Sequence, residues 1–106
     1  MKTNLGHIWI GPKSAPLNWM QTWRDKHPEA QYTLYDNEFL AQFPFKNRAH
    51  IETMMDRRLY AGAADLMRYE ILFEYGGFLP EADSICIKNT DLLLEGEKCY
   101  TVYENE

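Results

Sequence analysis

The stretch from Tyr60 to Tyr75, closed by Gly76-Gly77, constrains this chain most, because it reads as a long helix that stops at a well-placed pair of glycines. At roughly 100° per residue, Ala63, Met67, Glu70 and Glu74 share one side, which is assigned to solvent. Asp65 and Arg68 fall nearly opposite, together with Ala61, Leu72 and Tyr75, on the side expected to meet the core. A carboxylate and a guanidinium turned inward must be paired, hydrogen-bonded or facing a ligand cavity, since either charge buried alone costs several kcal/mol.

The elements before this helix set its surroundings. Leu5 to Ile10 is the first apolar cluster, and Gly11-Pro12 ends it in a loop. Pro16 suits the first turn of a helix, and Leu17, Met20, Trp23 and Lys26 or His27 follow at helical spacing until His27-Pro28 closes it. Gln31 to Tyr35 alternates as a strand, and Asp36-Asn37 supplies a turn or cap for a short helix from Glu38 to Gln42. Phe43 to Asn47 is a loop, and Arg48 to Arg58 reads as an amphipathic helix with Ile51, Met54 and Met55 inward. After the glycines, Ser84 to Ile87 is expected as a buried strand, Asn89 to Leu94 as a short helical turn, and Lys98 to Tyr103 as a final strand. A strand-helix-strand start favours a parallel or mixed sheet with crossover helices. No internal repeat or low-complexity segment interrupts the order.

At 106 residues, positions 1–106 are expected to form a single domain. The chain is 45% apolar and 25% charged, enough bulk for a core, and disorder is a poor reading. Net charge is −5 and the eleven basic residues are scattered, so no stripe follows a nucleic-acid backbone. An acidic chain that binds a phosphorylated ligand needs a device against charge repulsion, and a divalent cation on carboxylates is the simplest. The N-terminal residues lack the apolar run of a signal peptide, and no window approaches the length of a membrane span. Cys86 and Cys99 fit neither a disulfide framework nor a metal knuckle and are read as reduced core thiols, which places the expected location in the cytoplasm.

Glu81 and Asp83 lie two apart, so on extended backbone both carboxylates would project from one side. Such a pair is a reasonable site for a hard divalent ion that also holds phosphate oxygens. As an isolated pattern, acid-x-acid is weak. Its context strengthens it: His7-Ile8-Trp9-Ile10-Gly11 at the start, Ala64-Asp65-Leu66-Met67-Arg68-Tyr69 in the helix, and Tyr75-Gly76-Gly77-Phe78-Leu79-Pro80-Glu81-Ala82-Asp83 behind it. In that order the segments resemble the sugar-nucleotide glycosyltransferases with a DxD motif, glycosyltransferase family 32 and the catalytic core of clostridial glucosylating toxins among them.

The resemblance implies a truncated Rossmann-like α/β domain of the glycosyltransferase A type. It implies that Trp9, with Ile8 beside it, meets the nucleotide base, and that Asp65 and Arg68 hold the donor's sugar hydroxyls and phosphates. It assigns the metal, Mn²⁺ or Mg²⁺, to Asp83 with Glu81, where Glu81 replaces the family's first Asp and Leu79 stands where a Tyr is common. Asp65, Arg68 and Asp83 are the catalytic candidates. The implied activity is metal-dependent transfer of a hexose, with retention, from a UDP-sugar (UDP-glucose favoured) to a glycan or protein acceptor, with donor hydrolysis as a side activity. The alternative is a non-catalytic sugar-nucleotide-binding module that assists a larger transferase. His7 is expected to support its loop. Because relatives are longer, apolar surface left uncovered here leads to an expectation of homo-oligomers.

Overall fold

The computed structural model describes residues 3–88, in the order β1 (Asn4–Ile8), α1 (Leu17–Lys26), β2 (Gln31–Tyr35), α2 (Asn37–Gln42), α3 (Arg48–Asp56) and α4 (Tyr60–Tyr75). The expected elements at Asn89–Leu94 and Lys98–Tyr103, and Cys99, lie outside the described residues.

β1 and β2 are parallel, in a register running from Asn4 opposite Gln31 to Ile8 opposite Tyr35. The backbone of Thr3 and Trp9 bonds toward β2, whereas Asn4 and Gly6 turn their groups to the other edge, where Gly6 N–H donates to Phe78 O at 3.0 Å and Phe78 N–H to Asn4 O at 2.8 Å. Phe78 is therefore a third parallel rung on the free edge of β1. Gly77 makes this approach possible. Its φ is +95, and a Cβ there would lie 2.2 Å from the Asn4 carbonyl oxygen. Gly76, with φ +66, ends α4 as the sequence predicts.

Alternation along β1 separates two packed faces. Ile8 and Ile10 join Tyr35, Ile51, Met67 and Ile71 in the main core under α2, α3 and α4. His7 faces α1, with its ring against Trp23 and Tyr32. The small parallel sheet thus has α1 on one side and the other helices on the opposite side, a mixed α/β arrangement. No helix among the described residues is long and apolar enough to cross a membrane.

Two sequence expectations are corrected. On α4 the buried stripe is Ala63, Met67 and Ile71, each fully buried, whereas Asp65 and Ala61 are exposed, Arg68 is half-buried and Tyr75 is 46% exposed. The face was misread because apolar side chains surround this helix. Tyr69 and Phe73 stand exposed on it, so pattern alone does not choose a side. Glu70, expected in solvent, accepts hydrogen bonds from the Lys46 and Asn47 backbone N–H groups at 2.6 and 3.2 Å and fixes the entry to α3. The second correction is at Ser84–Ile87, which forms no strand. Cys86 is buried and its N–H donates to Thr22 Oγ1 at 2.8 Å, while Ile85 and Ile87 point outward.

Candidate nucleotide-sugar site

The strand order creates the site. From β1 the chain crosses to β2 on one edge, then returns through α2, α3 and α4 to Phe78 on the other edge. Loops leaving β1 and Phe78 therefore diverge, and in open α/β sheets the crevice at such a switch point, beyond the carboxyl ends of the strands, is where ligands bind. Trp9 to Lys13 leaves β1; Leu79 to Ser84 leaves Phe78.

α4 reaches this crevice through Arg68. Its guanidinium donates to the Leu79 carbonyl and, at 3.3 Å, to Glu81 Oε1. A planar fork can bond a backbone carbonyl and a carboxylate together. The Arg68 side chain is 21% exposed and that of Glu81 70% exposed, so the ion pair leads from partly covered ground to solvent. Arg68 is brought to the acidic segment from a flank of α4 and not from the buried stripe.

Glu81 and Asp83 are not on extended backbone. Ser84 N–H and hydroxyl both donate to Glu81 O, folding 81–84 into a turn in which Ala82 is buried and both acids are exposed. The alternation that would place both carboxylates on one side does not operate in a turn. Asp83 has no hydrogen bond or ion pair among the described residues, and neither has Asp65, which stands exposed one turn before Arg68. No group of three His, Cys, Asp or Glu side chains gathers among the described residues. No all-protein cage forms among the described residues, and Glu81 and Asp83 are the carboxylates that would meet a hard divalent ion whose shell ligand oxygens complete.

On the β1 side, Trp9 is half-buried. Its N–H donates to Tyr35 O at 3.0 Å and its indole Nε1 to Lys13 O at 2.9 Å. Ile8 is different: it is 6% exposed and built into the main core, so its side chain serves packing and not ligand contact.

His7, read from sequence as a loop support, is fully buried beneath this crevice. Its Nδ1 pairs with Tyr32 OH at 2.7 Å, and its Nε2 is buried with no hydrogen-bond partner among the described residues. Burial, and secondarily the Arg68 charge, lowers its pKa to about 4, so the ring is neutral near pH 7. Sequence reasoning also missed Asn37, taken as part of a turn or cap. Asp36 is the cap, accepting from Phe39 N–H at 3.0 Å, and the Asn37 amide bonds to Gly11 instead. No local signal marks that contact, because its partner is 26 residues away.

Residues 16–100 match the family model described as a glycosyltransferase sugar-binding region containing a DXD motif. The chain belongs to this family of DXD glycosyltransferases. Among curated proteins, this glycosyltransferase region is 30% identical over 95 residues to inositol phosphoceramide mannosyltransferase 3 of Schizosaccharomyces pombe, covering 88% of this chain and 25% of that protein. The chain thus spans about a quarter of the length of the curated relative it matches. No solved structure matches it. A strict Asp-x-Asp does not occur in the sequence, and Glu81-Ala82-Asp83 is the acid-x-acid triplet that stands beside Arg68.

Proposed function

We propose that this chain is the donor-binding part of a metal-dependent glycosyltransferase with a shortened glycosyltransferase A fold, moving a hexose from a nucleoside diphosphate with retention. The observation that carries the reading is the Arg68 fork, which joins α4 to the Leu79 carbonyl and the Glu81 carboxylate, two residues before Asp83, which has no polar partner among the described residues.

The physical task is leaving-group stabilisation, because negative charge grows on the diphosphate as the glycosidic bond breaks. Arg68 supplies a fixed cation at the edge of the crevice, where partial exclusion of water strengthens its effect. Asp83, with Glu81, would hold Mn²⁺ or Mg²⁺, which when bound supplies Lewis-acid stabilisation of the same charge. Asp65, three residues before Arg68 on α4, accepts hydrogen bonds from sugar hydroxyls. Trp9 offers an aromatic face to the base. No general base is assigned, since an acceptor attacking on the leaving-group side can give its proton to the departing diphosphate.

The toxin-like resemblance favours UDP-glucose as donor and a glycan or protein as acceptor. The similarity to a mannosyltransferase supports a second reading, a mannosyl donor with a phosphorylated inositol lipid as acceptor. Self-association belongs to the proposal, supported by the exposed Tyr69 and Phe73 on α4; light scattering that gives a clean monomer at micromolar concentration counts against it.

The test is incubation with UDP-glucose, UDP-galactose, UDP-N-acetylglucosamine and GDP-mannose in Mn²⁺ or Mg²⁺, following release of the free diphosphate. Metal-dependent release that disappears in Asp83→Ala and Arg68→Ala supports the enzyme. Binding without turnover supports a donor-binding module within a larger transferase. Absence of binding to any donor sinks both.

A further inference from the structure

The loop that leaves β1 is fixed by a side chain from another element. Asn37, the first residue of α2, spends both ends of its amide on one residue: Oδ1 accepts from Gly11 N–H at 2.9 Å, and Nδ2 donates to Gly11 O at 2.9 Å. An amide that engages both backbone groups of a residue imitates a rung of strand pairing, and sets orientation as well as distance. α2 does not need Asn37 for its own start, because Asp36 caps it.

Gly11 is also confined from a second direction. Its φ is +101, and a Cβ there would lie 3.1 Å from the Tyr60 ring at the start of α4. Two residues upstream stands Trp9, and two downstream stands Lys13, whose carbonyl accepts the Trp9 indole N–H at 2.9 Å. The indole is tied to a loop whose midpoint is held by Asn37.

We infer that Asn37 is a positioning residue for the donor nucleotide, setting the plane of the Trp9 ring through Gly11 so that the base meets a prearranged aromatic face. The inference rests on the proposed base-stacking role of Trp9. Preorganisation raises affinity by removing an ordering cost that the ligand would otherwise bear.

The experiment uses the full chain and four variants: Asn37→Ala, Asn37→Asp, Trp9→Ala and the Trp9→Ala/Asn37→Ala double. UDP and GDP binding in Mn²⁺ is measured by calorimetry, with hydrogen exchange of the Gly11 amide and thermal unfolding alongside. Asn37→Ala is expected to weaken nucleotide binding about tenfold and speed Gly11 exchange, with little change in unfolding temperature. Asn37→Asp keeps the bond from Gly11 N–H but sets a carboxylate against Gly11 O, and is expected to weaken binding too. If Asn37 acts through Trp9, the double variant binds no worse than Trp9→Ala alone, whereas a general structural role gives losses that add. Full-strength binding by Asn37→Ala, or additive losses, overturns the inference. Nucleotide binding that survives Trp9→Ala unchanged overturns the stacking role and the inference with it, leaving the Arg68 and Asp83 site standing. No binding by the unsubstituted chain overturns the proposed function itself.

Discussion

The loop leaving β1 is held from three directions, by the Asn37 amide, by the ring of Tyr60 and by its own bond from Trp9 to Lys13. The acidic turn across the crevice is held by Arg68 and Ser84 at Leu79 and Glu81, and beyond them Asp83 makes no hydrogen bond or ion pair among the described residues. The difference is one of preorganisation. A flat base can be received by a ring fixed in advance, because stacking needs only a plane. A diphosphate with its cation brings its own ligand oxygens, so the protein side can leave a carboxylate open for them to complete.

The largest effect is expected at the root of the acidic turn. Gly77→Ala sets a Cβ against the Asn4 carbonyl oxygen on backbone with positive φ, and should cost about 3 kcal/mol or more by detaching Phe78 from β1. Urea unfolding measures the loss. Hydrogen exchange at Gly11 should stay slow if the two loops are independent, and fast exchange there breaks the comparison.

Next is the pH response of His7, which lies on β1 between the two loops. The folded chain keeps the ring neutral down to about pH 4, whereas the unfolded chain takes up a proton near 6.5. Between those values the unfolded state binds more protons, so stability is flat above the window and falls as pH falls through it, by up to about 3 kcal/mol. His7→Gln should flatten the stability profile across this window. Because Arg68 contributes to the shift after burial, Arg68→Gln should raise the His7 pKa, readable from its imidazole NMR resonances; an unmoved pKa would separate the acidic side from β1.

Arg68→Ala removes the fork on Leu79 O and Glu81 and should destabilise the chain by about 2 kcal/mol, since the buried Leu79 carbonyl loses a charged donor. Arg68→Lys should recover only part of that, because an ammonium cannot span both acceptors as a planar fork does. Equal stability of Lys and Arg chains would show that the fork geometry is idle. The smallest effect on stability is Asp83→Asn, within about 0.5 kcal/mol, because the side chain is exposed and has no polar partner among the described residues. Its consequence should be confined to Mn²⁺-dependent nucleotide binding. A large loss of stability would mean that Asp83 is as fixed as Trp9.

Much of the frame was legible. Gln31–Tyr35 and Tyr60–Tyr75 coincide with β2 and α4, since strand alternation and a double-glycine stop are local signals. The resemblance named Arg68 and Glu81 separately as site residues, and only the structure pairs them. The exposure of Asp65, read as inward, was not legible, because a helix with exposed Tyr69 and Phe73 carries apolar residues all round and only packing selects the Ala63, Met67 and Ile71 stripe. Ser84–Ile87 misled in a similar way: isoleucines two apart imitate a strand, yet the tie to Thr22 and the turn at 81–84 keep the segment off the sheet.

By itself the sequence determined the order of elements up to α4, the glycine stop behind it, and the residue types at the site, because each depends on neighbours close along the chain. Tertiary structure alone decided which flank of α4 is buried, that Phe78 pairs with β1 across the sheet from β2, that Asn37 clamps Gly11, and that His7 is sealed and neutral. Those depend on contacts between residues distant in sequence, where packing and desolvation, not local propensity, set the outcome. The long helix closed by Gly76-Gly77 keeps its place at the centre of the fold, and the flank that carries Arg68 is the one that reaches the acidic turn.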